Sequence, residues 1–249
     1  MQHRLRTLTA SLCATLVAGT VLAGPSASAA PSADARAAGW LGRQLTDGVV
    51  HNDQFDFDDY GLTIDVAFAL DAADRAPKKV RAARKAVAAN LDAYITGGEW
   101  APDDVYAGSI AKAAVLAQRT GANPRRFGGV DLLARLAERV RTEGATAGRI
   151  HDRSETDYAN VIGQSFAVEA LTRGSSSLAD EAVDFLLLQQ CDEGFFRLGF
   201  SAPDAADQSC DAAPPSERRP DTDVTAIAML GLQALPKKHR TKAVRAAIA

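Results

Sequence analysis

Residues 59–72, "DYGLTIDVAFALDA", align without a gap on residues 157–170, "DYANVIGQSFAVEA", with identities at Asp59/Asp157, Tyr60/Tyr158, Ile64/Ile162, Phe68/Phe166, Ala69/Ala167 and Ala72/Ala170. Both stretches are apolar at helical spacing and poor in charge, so each predicts a helix buried on most sides. A third copy, "DVYAGSIAKAAVLA" (104–117), keeps a tyrosine at Tyr106 with Ile110 four residues later. A fourth, "DTDVTAIAMLGLQA" (221–234), keeps the leading Asp221 and the final Ala234. Such copies imply a repeat of units that bury their apolar faces only against one another.

Each copy is preceded by a second kind of helical pattern: "DARAAGWLGRQL", "VRAARKAVAANLDAYI", "VDLLARLAERV" and "LADEAVDFLLLQQ". In the second of these Val80, Val87, Leu91 and Tyr94 form one stripe, and in the third Val130, Leu133, Leu136 and Val140 do. These are amphipathic helices with Arg, Lys and Glu on the opposite face. Each leads to a glycine turn, with Gly48, Gly98, Gly144 and Gly194 spaced by 50, 46 and 50 residues. A glycine able to take positive φ is expected to stop each helix there. The expected fold is therefore all-α: an α/α toroid, or partial α/α barrel, of about four helical hairpins plus the start of a fifth. The charged helices form its outer layer and the apolar helices its inner one. Strand-like alternation is missing apart from short stretches such as "FFRLGF".

The ends of the chain suggest processing. Residues 1–29 carry Arg4 and Arg6, an apolar run from about Leu8 to Leu22, and the small triplet Ala27-Ser28-Ala29. This reads as a secretory signal peptide, with the toroid domain at 30–249 and a secreted, extracellular location. Removing it takes two arginines and no acids, moving the formal charge from −3 to −5. No later stretch is long and apolar enough to span a bilayer. The mild acidic balance argues against nucleic acid as a partner. Cys13 leaves with the peptide, so Cys191 and Cys210 remain, and in an oxidising compartment the pair reads as a disulfide. Free thiols are the alternative. At the other end "KKHRTKAVRAAIA" reads as the opening of a fifth outer helix lacking its inner partner, so Val244 and Ile248 are expected to be short of packing and residues 221–235 to expose an apolar strip. A deliberate capping helix is the alternative.

The hairpins around "AVDFLLLQQCDEGFF" and "GWLGRQLTDG" resemble the repeats of the prenyltransferase and squalene cyclase superfamily. That resemblance implies an α/α toroid, and it brings class II terpene cyclases, protein prenyltransferase β subunits and cobalamin carriers into view. The Gln-to-Trp repeat signature is approached by Gln190 and Gly194, with Phe196 where that family has Trp. The class II proton-donor motif matches Asp56, Asp58 and Asp59 in letters. The zinc ligands of the β subunits have no counterpart, and neither a metal nor another cofactor is expected.

The stretch "HNDQFDFDDYGLTID" (51–65) is the chemical candidate, because Asp53, Asp56, Asp58 and Asp59 crowd the start of a buried helix. A carboxylic acid that protonates an alkene has to be kept dry and poised by its neighbours. Asp59 has another explanation, since Asp59, Asp104, Asp157 and Asp221 recur where a side chain would cap a helix. The carboxylates could also hold Ca²⁺, but the ordered spacing of an EF-hand loop is absent. His51 and His151 each follow a glycine by three residues and, with Asp53, are candidate ligand-binding residues. An intact repeat with incomplete catalytic signatures points to a non-catalytic exported protein that binds a small molecule or a cell-surface partner at the mouth of its inner helices. The alternatives are a class II terpene cyclase-like enzyme using the D-x-D-D of 56–59 and, from the resemblance alone, a cobalamin-like small-molecule carrier.

Overall fold

The charge-poor helices begin where a polar side chain can take up their free amides. Asp59 accepts from the Leu62 amide at 2.7 Å and opens the helix Tyr60–Ala72. Asn160 accepts from Gly163 and opens Val161–Arg173, and Asp221 accepts from Asp223 and Val224 and opens Thr222–Gln233. In this computed structural model, which describes residues 32–248, the elements run α1 Ala33–Gln44, β1 Leu45–Thr46, β2 Val49–Asn52, β3 Phe57–Asp59, α2 Tyr60–Ala72, α3 Pro77–Ala89, α4 Leu91–Ile95, β4 Thr96–Gly97 and β5 Ala101–Val105. There follow α5 Ala107–Arg119, α6 Leu132–Ala137, α7 Val161–Arg173, α8 Ala179–Leu187, α9 Thr222–Gln233 and α10 Lys242–Ile248. The signal-peptide reading falls on residues 1–29, outside the described residues.

The chain is mostly helical, as expected, but not all-α: β1–β2–β3 and β4–β5 form two small antiparallel sheets. The glycines expected to stop the outer helices sit instead in the turns of these hairpins or of single bridges. Asp47 and Gly48, at φ 51° and 90°, make a two-residue turn between Leu45↔Val50 and Thr46↔Val49. An Asp-Gly pair with positive φ at both positions matches the twist of the flanking strands. Bridges Val140↔Ile150 and Gln190↔Phe196 occupy the corresponding places later in the chain. Strands this short are too brief to print an alternation in the sequence. The stretch read as one helix over 80–95 is also divided, at Asn90, into α3 and α4.

The gapless alignment of 59–72 on 157–170 is corrected by the structure. Asp59 caps α2 but Asp157 does not cap α7; Asn160 does, three residues later. Nor does Asp104 cap α5, whose N-cap position is Tyr106. A three-residue slip nearly preserves a helix face, so apolar matches survive it. The register that does superpose counts from the caps. The fourth residue of α2, α7 and α9 is Thr63, Gln164 and Thr225, and their side-chain oxygens accept from the backbone amides of Val50 (2.9 Å), Ile150 (3.0 Å) and Phe196 (3.0 Å). Thus each turn is tied to its own following helix. At the same position α5 has buried Ile110, and the Val105 amide donates to Arg153 O instead.

The core runs along α2, α5, α7 and α9, each packed on the next. Closest is α5 on α7, where Gly108 and Gly163 meet backbone to backbone; a Cβ built on Gly163 would lie 2.9 Å from the Gly108 Cα. Phe68 and Phe166 stack at 6.0 Å between their rings. Helices α3, α6 and α8 lie against α2, α5 and α7 respectively. At the far end Leu230 of α9 is exposed, whereas Val244, expected to be short of partners, is fully buried as α10 packs on α8 and α9.

Candidate functional site

At the N-terminal ends of α5 and α7 lies a cavity of about 340 Å³. Three of the chain's four tyrosines line it: Tyr94 from α4, Tyr106 at the start of α5 and Tyr158 in the loop entering α7. Ser109, Asn160, Ile162 and Phe166 complete much of the wall. Burial raises the Tyr94 phenol well above the usual tyrosine range, with the Ser109 hydrogen bond opposing the shift. Tyr106 donates to Asp104 Oδ2 at 3.3 Å, and its phenol is raised too, by desolvation first and Asp104 next. Tyr158 is largely exposed at the entrance.

The two charged groups in the wall are already engaged. Lys112 pairs with Asp65 at 2.7 Å, donates to Gly61 O at 3.1 Å and lies 5.6 Å from the Phe166 ring centroid. Asp152 accepts from the Ala107 amide at 2.7 Å through Oδ1 and from the Tyr158 amide at 3.0 Å through Oδ2. Burial raises the Asp152 carboxyl, and the Ala107 hydrogen bond partly offsets this. Asp157 in turn accepts from the Asp152 amide and from Arg149. The loop 149–160 is thereby a polar scaffold that closes one side of the cavity. Lone pairs and N–H groups used in this way hold geometry; the Asn160 amide and the Tyr106 phenol are likewise bonded to the protein, which leaves the exposed Tyr158 phenol at the entrance to meet a ligand.

The sequence candidates divide. His51, Asp56 and Asp58 come together on the β2–β3 hairpin: His51 Nδ1 is 3.1 Å from Asp58 Oδ1 and Nε2 is 3.4 Å from Asp56 Oδ1. Asp58 chiefly, by its hydrogen bond, raises the His51 imidazole above its usual range, against an opposing desolvation effect. Asp53 is exposed beside them. Asp56 has a side chain 98% exposed and Asp58 51%, so neither carboxyl is held in the dry surroundings that alkene protonation needs. Asp59 is set apart from them as the α2 cap. His151 lies in the other loop with Nδ1 3.1 Å from Asp152 O, away from the carboxylate cluster. The residues missed by sequence reasoning are Tyr94, Ser109, Lys112, Asp152 and Asn160. Tyr106 and Tyr158, which recur at the entries to α5 and α7, were legible in the repeat, whereas Tyr60 at the corresponding place in α2 does not line the cavity.

Cys191 and Cys210 are joined in a disulfide with a Cα separation of 5.0 Å. Glu193 and Asp211 place carboxylate oxygens near the Cys191 sulfur, but that sulfur belongs to the disulfide and no metal centre is assigned. The loop it closes shields Arg197, which is fully buried and gives Nε and Nη2 to Gln189 Oε1 and Nη2 also to Gln208 O. Compared with known proteins, the chain matches no family model, no curated protein and no solved structure.

Proposed function

We propose that this chain is a non-catalytic, exported repeat protein of partial α/α-toroid form that binds a small ligand in the tyrosine-lined cavity at the mouth of its inner helices. The observation that carries this reading is the cavity's make-up: three phenols, a hydroxyl and an amide surround it, while its lysine and aspartate are both tied to the protein. Such a wall recognises a compact ligand with a flat apolar face and a few hydrogen-bonding groups. The terpene cyclase alternative is weakened by the exposure of Asp56 and the pairing of Asp56 and Asp58 with His51.

The test is a saturation-transfer NMR screen of phenols, indoles and methyl glycosides against the wild type and Ser109→Phe, which fills the cavity. Ligands of the site bind the wild type, lose their signal with the variant and are recovered chemically unchanged. Ligands indifferent to Ser109→Phe would move the site elsewhere. Turnover of an isoprenoid that Asp58→Asn abolishes would replace the reading with an enzymatic one.

A further inference from the structure

A second recess, of about 220 Å³, lies at the C-terminal ends of α2 and α5 and against the side of α3, away from the mouth cavity. Four arginines face it: Arg75 after α2, Arg81 and Arg84 on α3, and Arg119 at the end of α5. Arg119 is held by Glu169, with Nε to Oε1 at 2.8 Å, and Arg84 gives Nη1 to Thr120 O. Arg75 and Arg81 have no ion-pair or hydrogen-bond partner for their guanidinium groups among the described residues, although Asp71 and Asp74 line the same recess. The surroundings add to the imbalance. Helix α3 carries Lys78, Lys79, Arg81, Arg84 and Lys85 and no acid, on a chain whose net charge is −3.

Glu169 is shared by Arg119 and Arg173, so even with Arg119 counted as neutralised the three remaining arginines exceed the two aspartates by one charge. A guanidinium presents two parallel N–H groups that match two oxygens of a phosphate or sulfate, and such charge-assisted pairs are the strong ones. We propose that this recess is an oxoanion site, taking a phosphoryl or sulfuryl group between Arg75 and Arg81 with the free N–H groups of Arg84 behind it. The ligand neutralises the positive charge that the recess carries in excess of its aspartates.

The test is calorimetric titration of inorganic phosphate, sulfate and pyrophosphate into the full chain at about 0.01 M ionic strength, where screening is weak. Saturable binding is expected, about tenfold weaker in Arg75→Ala/Arg81→Ala. Arg81→Lys, which keeps the charge and loses the fork, also weakens it. Lys242→Ala/Arg245→Ala on α10 binds as the wild type does. Vesicles of phosphatidylglycerol, compared with phosphatidylcholine, distinguish a lipid-borne phosphoryl group: co-sedimentation that needs Arg75 and Arg81 assigns the lipid source, and its absence beside tight phosphate binding assigns the free anion. The proposal is overturned if none of these probes binds saturably, or if the α10 variant loses as much as the recess variant while both keep the wild-type melting temperature.

Discussion

The carboxylate of Asp152 holds the first amide of α5: Oδ1 lies 2.7 Å from Ala107 N, 45 residues away in the chain. No residue beside α5 caps it, since Tyr106 at the N-cap position makes no side-chain bond to it. A cap supplied from another repeat ties the entrance of α5 to the loop that enters α7. Asp152→Ala leaves the buried amide of Ala107 and the part-buried amide of Tyr158 without this acceptor, at a cost of about 2 kcal/mol. Urea denaturation checks it, and a loss under about 0.5 kcal/mol would mean that water replaces the cap.

The tie between each turn and its helix gives a paired prediction. Thr63→Val and Thr225→Val remove the acceptors of Val50 N and Phe196 N and should each cost about 1–2 kcal/mol. Ile110→Thr, at the same place in α5, should bring no compensating bond because Val105 N already donates to Arg153 O. The cost there is loss of burial, and denaturation midpoints for the three variants separate the two cases.

Acidity bears on the β2–β3 hairpin through His51. Its folded-state pKa is raised, so its contribution to folding is fully present below the unfolded value of about 6.5 and is lost as pH rises through the folded value. NMR titration should place the His51 midpoint above that of a histidine in an unstructured peptide. Asp58→Asn should lower it, since Asp58 is the main cause. An unchanged midpoint in Asp58→Asn would show that the hydrogen bond does not form in solution.

Reduction should act on the segment that covers Arg197. The Cys191–Cys210 link spans 19 positions, and on the chain-entropy account its loss costs about 3 kcal/mol. Cys191→Ser/Cys210→Ser should therefore melt earlier and exchange the Gln208 and Arg197 amides faster. Equal melting with and without reductant would show that the bond constrains little.

Two glycines separate local from tertiary causes. Gly144 has φ 67° with open space around it, so Gly144→Ala should cost about 1 kcal/mol from backbone strain alone. Gly148 has φ 85°, and a Cβ there would lie 1.9 Å from Glu181 O, so Gly148→Ala should cost several times more. A Cβ on Gly48 would likewise lie 2.8 Å from Ala82 O of α3, which makes Gly148 its counterpart. The regular spacing of the turn glycines runs through Gly144, whereas the glycine pressed against a neighbouring helix is Gly148.

What the sequence determined on its own is the helical repeat and its chemistry of burial. Apolar spacing placed α2, α5, α7 and α9, because a buried helix has to be apolar on most of its faces whatever surrounds it. The cysteine pair was legible for a similar reason, as two cysteines flanking a single loop-rich stretch. Register, caps and turns were decided by the tertiary structure. A slip of three residues leaves a helix face nearly unchanged, so only the bonds to Thr63, Gln164 and Thr225 distinguish the true alignment. Strands of two to five residues come from turn geometry and carry too few positions to show a period. The cavity was hidden for the same physical reason: its wall draws on α4, α5, α7 and the loop before α7, and tyrosines far apart in the chain become neighbours only after the helices pack.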